Sequence, residues 1–62
     1  MPTYLLIYRA GSSRAREAVE ADELRRESSW LVLRRTQLVV GMPRLVVALR
    51  VPVREVVSVR VR

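Results

Sequence analysis

The apolar residues of this chain fall in short runs, and the last of these runs alternates strictly between valine and polar residues from Val57 onward. Three of these runs are TYLLIYRA (3–10), LVVALRV (45–51) and VVSVRVR (56–62), and a fourth, WLVLRRTQLVV (30–40), is dense in Leu, Val, Thr and Trp. Short runs rich in Val, Leu, Ile and Tyr are typical of β-strands, and the alternation in the last run indicates a strand with one buried face. The pattern therefore predicts four strands.

Turn-forming residues separate these runs. Gly11-Ser12-Ser13 and Gly41-Met42-Pro43-Arg44 predict turns, and PVRE (52–55) predicts a tight 3₁₀ turn before the last strand. In that last strand, Val57, Val59 and Val61 are expected to close a small core, with Arg60 and Arg62 on the opposite side. If the last two strands pair, Arg50 and Arg60 would share one outer face.

Residues 14–27, RAREAVEADELRRE, are ambiguous by local pattern. Their Ala, Glu, Arg and Leu content favours a helix, but the apolar stripe of that helix is interrupted by Asp22, and Leu24 falls on the far side. A strand would place Val19 and Ala21 on one face and Leu24 on the other, which is also imperfect. Helix and strand both remain open for this segment.

Two features of the fourth run bear on binding. The doublet Arg34-Arg35 must point to both faces of a regular strand, so either the strand bulges there or the face of Leu31 and Leu33 is not fully buried. Trp30 begins the run; it can be a stacking platform for a partner, but a core position is favoured because the chain has no Phe.

The amino-acid composition excludes several kinds of catalytic and metal-binding site. Sixty-two residues form at most one domain, expected over residues 1–62, with a small core. No Cys, His or Lys is present, which removes disulfides, the usual zinc ligands and the usual activators of a serine nucleophile. Glu20, Asp22 and Glu23 can pair as carboxylates, but the neighbouring arginines favour a solvated, salt-bridged face. We expect no enzyme activity, no metal and no cofactor.

The formal net charge of +6 is unevenly distributed. Residues 1–27 contain five Arg and five acidic residues, whereas residues 28–62 contain seven Arg and one acid, Glu55. Such asymmetry can indicate a polyanionic partner. The complete absence of Lys is more typical of a GC-rich coding bias.

The segments VEAD (19–22), WLVLRR (30–35) and VVALRVPVREVVSV (46–59) resemble a pattern of short actinobacterial and actinophage proteins without assigned activity. The resemblance covers about two-thirds of the chain. It implies that residues 16–26 form a second strand and that residues 27–29 form a hairpin turn, but it supplies no functional residue. The long segment 36–42 departs from the compact turn that this pattern implies.

Together these observations predict an all-β fold, either a five-stranded antiparallel meander or a small barrel that resembles SH3-like and Sm-like domains. The alternative is an α+β fold with one helix at about residues 14–27 on a four-stranded sheet. No apolar run is long enough to span a membrane, so we expect a cytoplasmic protein.

Two functions fit the sequence. The first is a self-associating protein-binding or assembly module, a homo-oligomer supported by its strongly β-prone strands. The second is a basic small barrel that contacts nucleic-acid phosphates through the arginines of residues 34–62. The candidate contact residues for a partner or for phosphate are Arg34, Arg35, Arg44, Arg50, Arg60, Arg62 and Trp30.

Overall fold

The computed structural model describes all residues of the chain and contains six strands and one 3₁₀ turn. The elements are β1 (Thr3–Ala10), β2 (Ser13–Glu20), β3 (Glu23–Glu27), β4 (Trp30–Val39), β5 (Met42–Pro52), the 3₁₀ turn (Val53–Glu55) and β6 (Val56–Val61). The all-β prediction and the 3₁₀ turn before the last strand are confirmed. The alternative helix at residues 14–27 is wrong, because this segment forms β2 and β3.

The strands form two antiparallel three-stranded sheets. The first sheet has the order β2-β1-β6 and the second has the order β3-β4-β5. No strand pairing joins the two sheets, so they do not close into a barrel. Because β5 and β6 lie in different sheets, the prediction that Arg50 and Arg60 share one outer face is wrong.

The sixth strand arises because the chain bends at Ala21-Asp22. The Ala21 side chain is fully buried at this corner, in the core between the two sheets. Asp22 holds the bend against β4: its amide donates to the carbonyl of Arg34 (2.8 Å), and its carboxylate accepts a hydrogen bond from the amide of Thr36 (2.7 Å). The VEAD segment thus turns one long predicted strand into two strands that belong to different sheets.

The core lies between the two sheets. Leu6 and Val19 come from the first sheet, Leu33 and Val51 come from the second, and Ala21 lies at the corner between them. We call the sheet faces toward this core the inner faces and the opposite ones the outer faces. The half-buried residues packed on the core are Tyr4, Tyr8, Leu24, Leu31, Ala48, Leu49, Val56 and Val59.

The last strand fills the core differently from the prediction. An irregularity in the β1–β6 pairing sets Ile7 opposite Ser58 but Tyr8 opposite Val56, so Val57 is an extra residue. Val56 and Val59 pack on the core, whereas Val57 and Val61 are exposed. The expected core set of Val57, Val59 and Val61 is therefore correct only for Val59.

The predicted irregularity at the Arg34-Arg35 doublet is present. The pairing of β4 with β5 shifts between Leu33 and Arg34, which leaves Ala48 as an extra residue in β5. Arg35 lies on the same face as Leu33, but at a point where the hairpin has passed the end of the core. The bulge therefore lies in the partner strand and not in the strand of the doublet, and the second explanation holds: the face of Leu31 and Leu33 is not buried along its whole length.

The β4–β5 turn lies at Val40-Gly41, earlier than the predicted turn at residues 41–44. Both residues have positive φ, 52° and 73°, which is the pattern of a type I′ turn. Glycine adopts this conformation readily, but for a β-branched residue it is strained. Met42 and Pro43 belong to β5, where Pro43 is compatible with an edge strand.

Replacement of Val40 by Asn is expected to stabilise the monomer by about 1 kcal/mol, because Asn-Gly is a preferred type I′ pair and Asn tolerates positive φ. For a domain of this size the midpoint of thermal unfolding would rise by roughly 4–8 °C. Val39→Asn is the control, since its position is extended and gains nothing from Asn. Thermal unfolding at low protein concentration measures both, and a lower midpoint for Val40→Asn would contradict the strain.

Candidate binding surfaces

The distal part of the β4–β5 hairpin projects beyond the rest of the molecule. Residues 35–39 pair only with residues 42–46, because β3 begins opposite Arg34. We call this two-stranded segment, residues 35–46, the arm. It contributes to an elongated shape of 41 × 25 × 16 Å.

The outer face of the arm is apolar and exposed. The pairing places Leu38 opposite Pro43 and Leu45 opposite Thr36, and Val47 continues this row at the base of the arm. Leu38 is 72% exposed, Leu45 50% and Val47 54%. No charged residue of the arm lies on this face.

The inner face of the arm differs in its chemistry. It carries Arg35, Gln37 and Arg44, together with Val39, Met42 and Val46. Arg35 and Arg44 have no carboxylate within 4.0 Å. The arm is therefore a ribbon with one uncharged apolar face, one basic face and a strained tip residue, Val40, that is 97% exposed.

Arg34 is neutralised on the outer face of the second sheet. Its guanidinium donates two hydrogen bonds to Glu27, at 2.5 and 2.8 Å, and one to Glu23 at 3.4 Å. The hydrogen bond from Arg34 lowers the pKa of the Glu27 carboxyl, and the same contact raises the pKa of Arg34. Because its donors are engaged, Arg34 is a poor candidate for a phosphate contact.

Trp30 lies on the same outer face. The expectation that it belongs to the core is therefore wrong. It is half-buried, and the Arg50 guanidinium lies 4.1 Å from the centre of its ring. Beside this pair, Val32 is almost fully buried although it belongs to the outer face. Trp30, Arg34 and Arg50 surround Val32 along and across the strands, so their first role is to cover an apolar residue.

The fold thus divides the predicted set of contact residues among three places. Arg34, Arg50 and Trp30 lie on the outer face of the second sheet, Arg35 and Arg44 lie on the arm, and Arg60 lies on the first sheet with Arg62 just beyond it. They form no single surface.

A different group of arginines comes together on the outer face of the first sheet. β2 carries Arg14 and Arg16 on this face, β1 carries Arg9, and β6 carries Arg60, with Arg62 beyond it. None has a carboxylate within 4.0 Å. Sequence reasoning missed three members of this group, Arg9, Arg14 and Arg16, because residues 1–27 are balanced in charge along the chain. The two-residue turn Gly11-Ser12 would have indicated that Arg9 and Arg14 are neighbours.

A shallow groove of about 490 Å³ lies on this face. Its apolar floor includes Leu5, Ile7 and Ala18, and Arg16 and Arg60 lie on its two sides. Glu17 also borders the groove, but its carboxylate accepts a hydrogen bond from the Tyr8 hydroxyl on the inner face, and this contact raises the pKa of Tyr8. Glu17 forms no ion pair with Arg16 or Arg60, the arginines at the sides of the groove.

The chain matches no protein-family model, no curated protein and no solved structure. The resemblance to actinobacterial and actinophage proteins therefore stays a prediction. None of the structure's helical segments has the length and apolar character needed to cross a membrane.

Proposed function

We propose that the chain is a non-catalytic, self-associating protein-binding module, and that the outer face of the arm is the surface through which two copies pack. The observation that carries this proposal is the exposed row of Leu38, Leu45 and Val47 on a ribbon with no third strand. An isolated two-stranded ribbon is marginally stable in water, and an apolar layer against one face stabilises it.

A second copy is favoured as the occupant by the charges on the arm. When two arms pack through their outer faces, Arg35 and Arg44 of both copies remain in solvent on the opposite faces, so the contact brings no like charges together. A closed two-fold pair buries the row on each copy with the same row on the other. Burial of these side chains is favourable at roughly 25 cal/mol per Å² of apolar surface.

The order of the strands supports a finer proposal on the fold. β2 and β3 follow one another as a single bent strand, and a 3₁₀ turn precedes β6. This is the layout expected of an SH3-like domain, here with open sides. We offer this relation, and a cytoplasmic location, as parts of the same proposal.

The alternative function, nucleic-acid binding through the arginines of residues 34–62, has less support. Arg34 is engaged by two glutamates, and Arg50 stacks on Trp30. The remaining arginines of that set are spread over the arm, the 3₁₀ turn and the first sheet.

The oligomeric state tests the proposal. Light scattering and native mass spectrometry of the purified chain, diluted from high to low micromolar concentration, are expected to show a dimer or larger closed oligomer that dissociates on dilution. Circular dichroism at each concentration controls for unfolding. A folded monomer over the whole range would overturn the proposal.

A further inference from the structure

We propose that the groove on the outer face of the first sheet binds an acidic segment of a partner protein that also contains apolar side chains. This inference extends the protein-binding part of the proposed function to a second surface. It rests on residues of β1, β2 and β6 and does not depend on the arm.

The charge of the face selects an anionic partner. Five arginines (Arg9, Arg14, Arg16, Arg60 and Arg62) stand on or next to this face, and its only acidic side chain is Glu20. All five arginine side chains are exposed and without an ion-pair partner. Guanidinium groups bind carboxylates through paired hydrogen bonds, so an acidic segment offers matching acceptors.

The floor of the groove selects for apolar side chains in the same segment. Leu5 and Ile7 lie side by side on β1 between the two flanking strands, where their outer-face side chains are not covered by any other element. β2 and β6 are separated by two strand spacings, roughly 10 Å, which is the width of one extended peptide with its side chains. An apolar side chain on this floor would place neighbouring carboxylates near Arg16 and Arg60.

Two other occupants fit less well. The arm of a second copy is apolar enough, but it contains no acidic residue that could pair with the arginines of the groove. A single-stranded nucleic acid satisfies the arginines, but the face contains no aromatic residue on which bases could stack, since Tyr4 and Tyr8 point to the core. An acidic, apolar peptide uses both the floor and the sides of the groove.

Fluorescence anisotropy with defined probes tests this inference. The probe is a short fluorescein-labelled peptide of mixed Glu and Leu residues. One control peptide has every Glu replaced by Gln, and another has every Leu replaced by Ser. The Glu/Leu peptide is expected to bind at physiological salt, and each control about tenfold or more weakly, because each lacks one of the two chemistries.

Variants locate the site. Arg16→Gln and Arg60→Gln are each expected to weaken binding of the Glu/Leu peptide about tenfold, because each removes one charge-assisted contact at the groove. Arg54→Gln, in the 3₁₀ turn and outside the groove, changes the net charge equally and should leave binding unchanged. All three positions are exposed and free of ion pairs, so the fold should persist, which circular dichroism checks.

Several results would overturn the inference. These are no binding by the unmodified chain, an equal loss in Arg54→Gln, or oligothymidylate binding that is tighter than peptide binding and lost in Arg16→Gln. The last result would reassign the face to nucleic acid. Arg16→Gln leaves the arm intact, so its oligomeric state should equal that of the unmodified chain. Peptide binding and self-association are thus measured separately, and either proposal can fail without the other.

Discussion

Replacement of Leu33 by Ala is expected to remove most of the free energy of unfolding. Leu33 is fully buried in the cluster that joins the two sheets, and it is one of the two largest side chains there that are almost inaccessible. Truncation of such a leucine leaves a cavity and costs about 2–5 kcal/mol. A domain of this length has a total stability of roughly 3–9 kcal/mol, so the variant should be partly unfolded at room temperature.

Leu38→Ala is the matched control for this prediction. The same side chain is truncated on the same strand, but on the exposed arm, where the expected change in monomer stability is within about 0.5 kcal/mol. Urea unfolding followed by the fluorescence of Trp30, at a concentration where the chain is monomeric, measures both variants. Equal losses in the two variants would mean that the core does not lie where the two sheets meet.

The contrast between Leu33 and Leu38 also shows how far the sequence specifies the fold. Alternation along a strand indicates which residues share a face: Tyr4, Leu6 and Tyr8, at every second position of β1, all pack on the core. It does not indicate where the core ends along a strand, because Leu38 and Leu33 belong to equally apolar stretches. That boundary depends on how many strands flank β4 at each point. The first residue of β3 pairs with Arg34, so β4 has only one neighbouring strand beyond that position.

The bend at Ala21-Asp22 could not be predicted from the sequence either, because it too depends on tertiary contacts. A small residue followed by an acid is common in helices and loops, and local propensity cannot show that Ala21 is fully buried where the two sheets join. The hydrogen bond from the Thr36 amide to Asp22 joins residues fourteen positions apart. Only the tertiary pairing creates it, so the segment remained ambiguous from sequence.

Candidate contact residues were harder to predict than strands. Charge counted along the chain selects residues 28–62, but charge on a sheet depends on strand order and on which face each residue occupies. Arg34 is neutralised by residues of β3, whereas Arg16 and Arg60 are exposed on one outer face because their strands flank β1. The doublet Arg34-Arg35 was nevertheless informative, since it marks the position where the arm begins.

Leu45→Asp is expected to weaken self-association about a hundredfold. The substitution places a charge in the middle of the apolar row of the arm, where two copies would bring two such charges together. The arginine on the same face, Arg34, is already engaged by Glu27 and Glu23. Loss of a central apolar contact together with burial of a charge amounts to about 2–4 kcal/mol at such positions, and 2.7 kcal/mol corresponds to a hundredfold change in the dissociation constant.

Gln37→Asp is the control that makes this result specific to one face. It introduces the same residue type, with the same low strand propensity, in the neighbouring row of the arm but on the opposite face, next to Arg44. Sedimentation equilibrium should show weakened association only for Leu45→Asp, and both variants should keep the circular dichroism of the parent chain. Equal weakening would assign the effect to the stability of the arm itself, and no weakening in either variant would place the contact between copies elsewhere. A selective effect would mean that the exposed leucines of the arm are buried in the assembled protein.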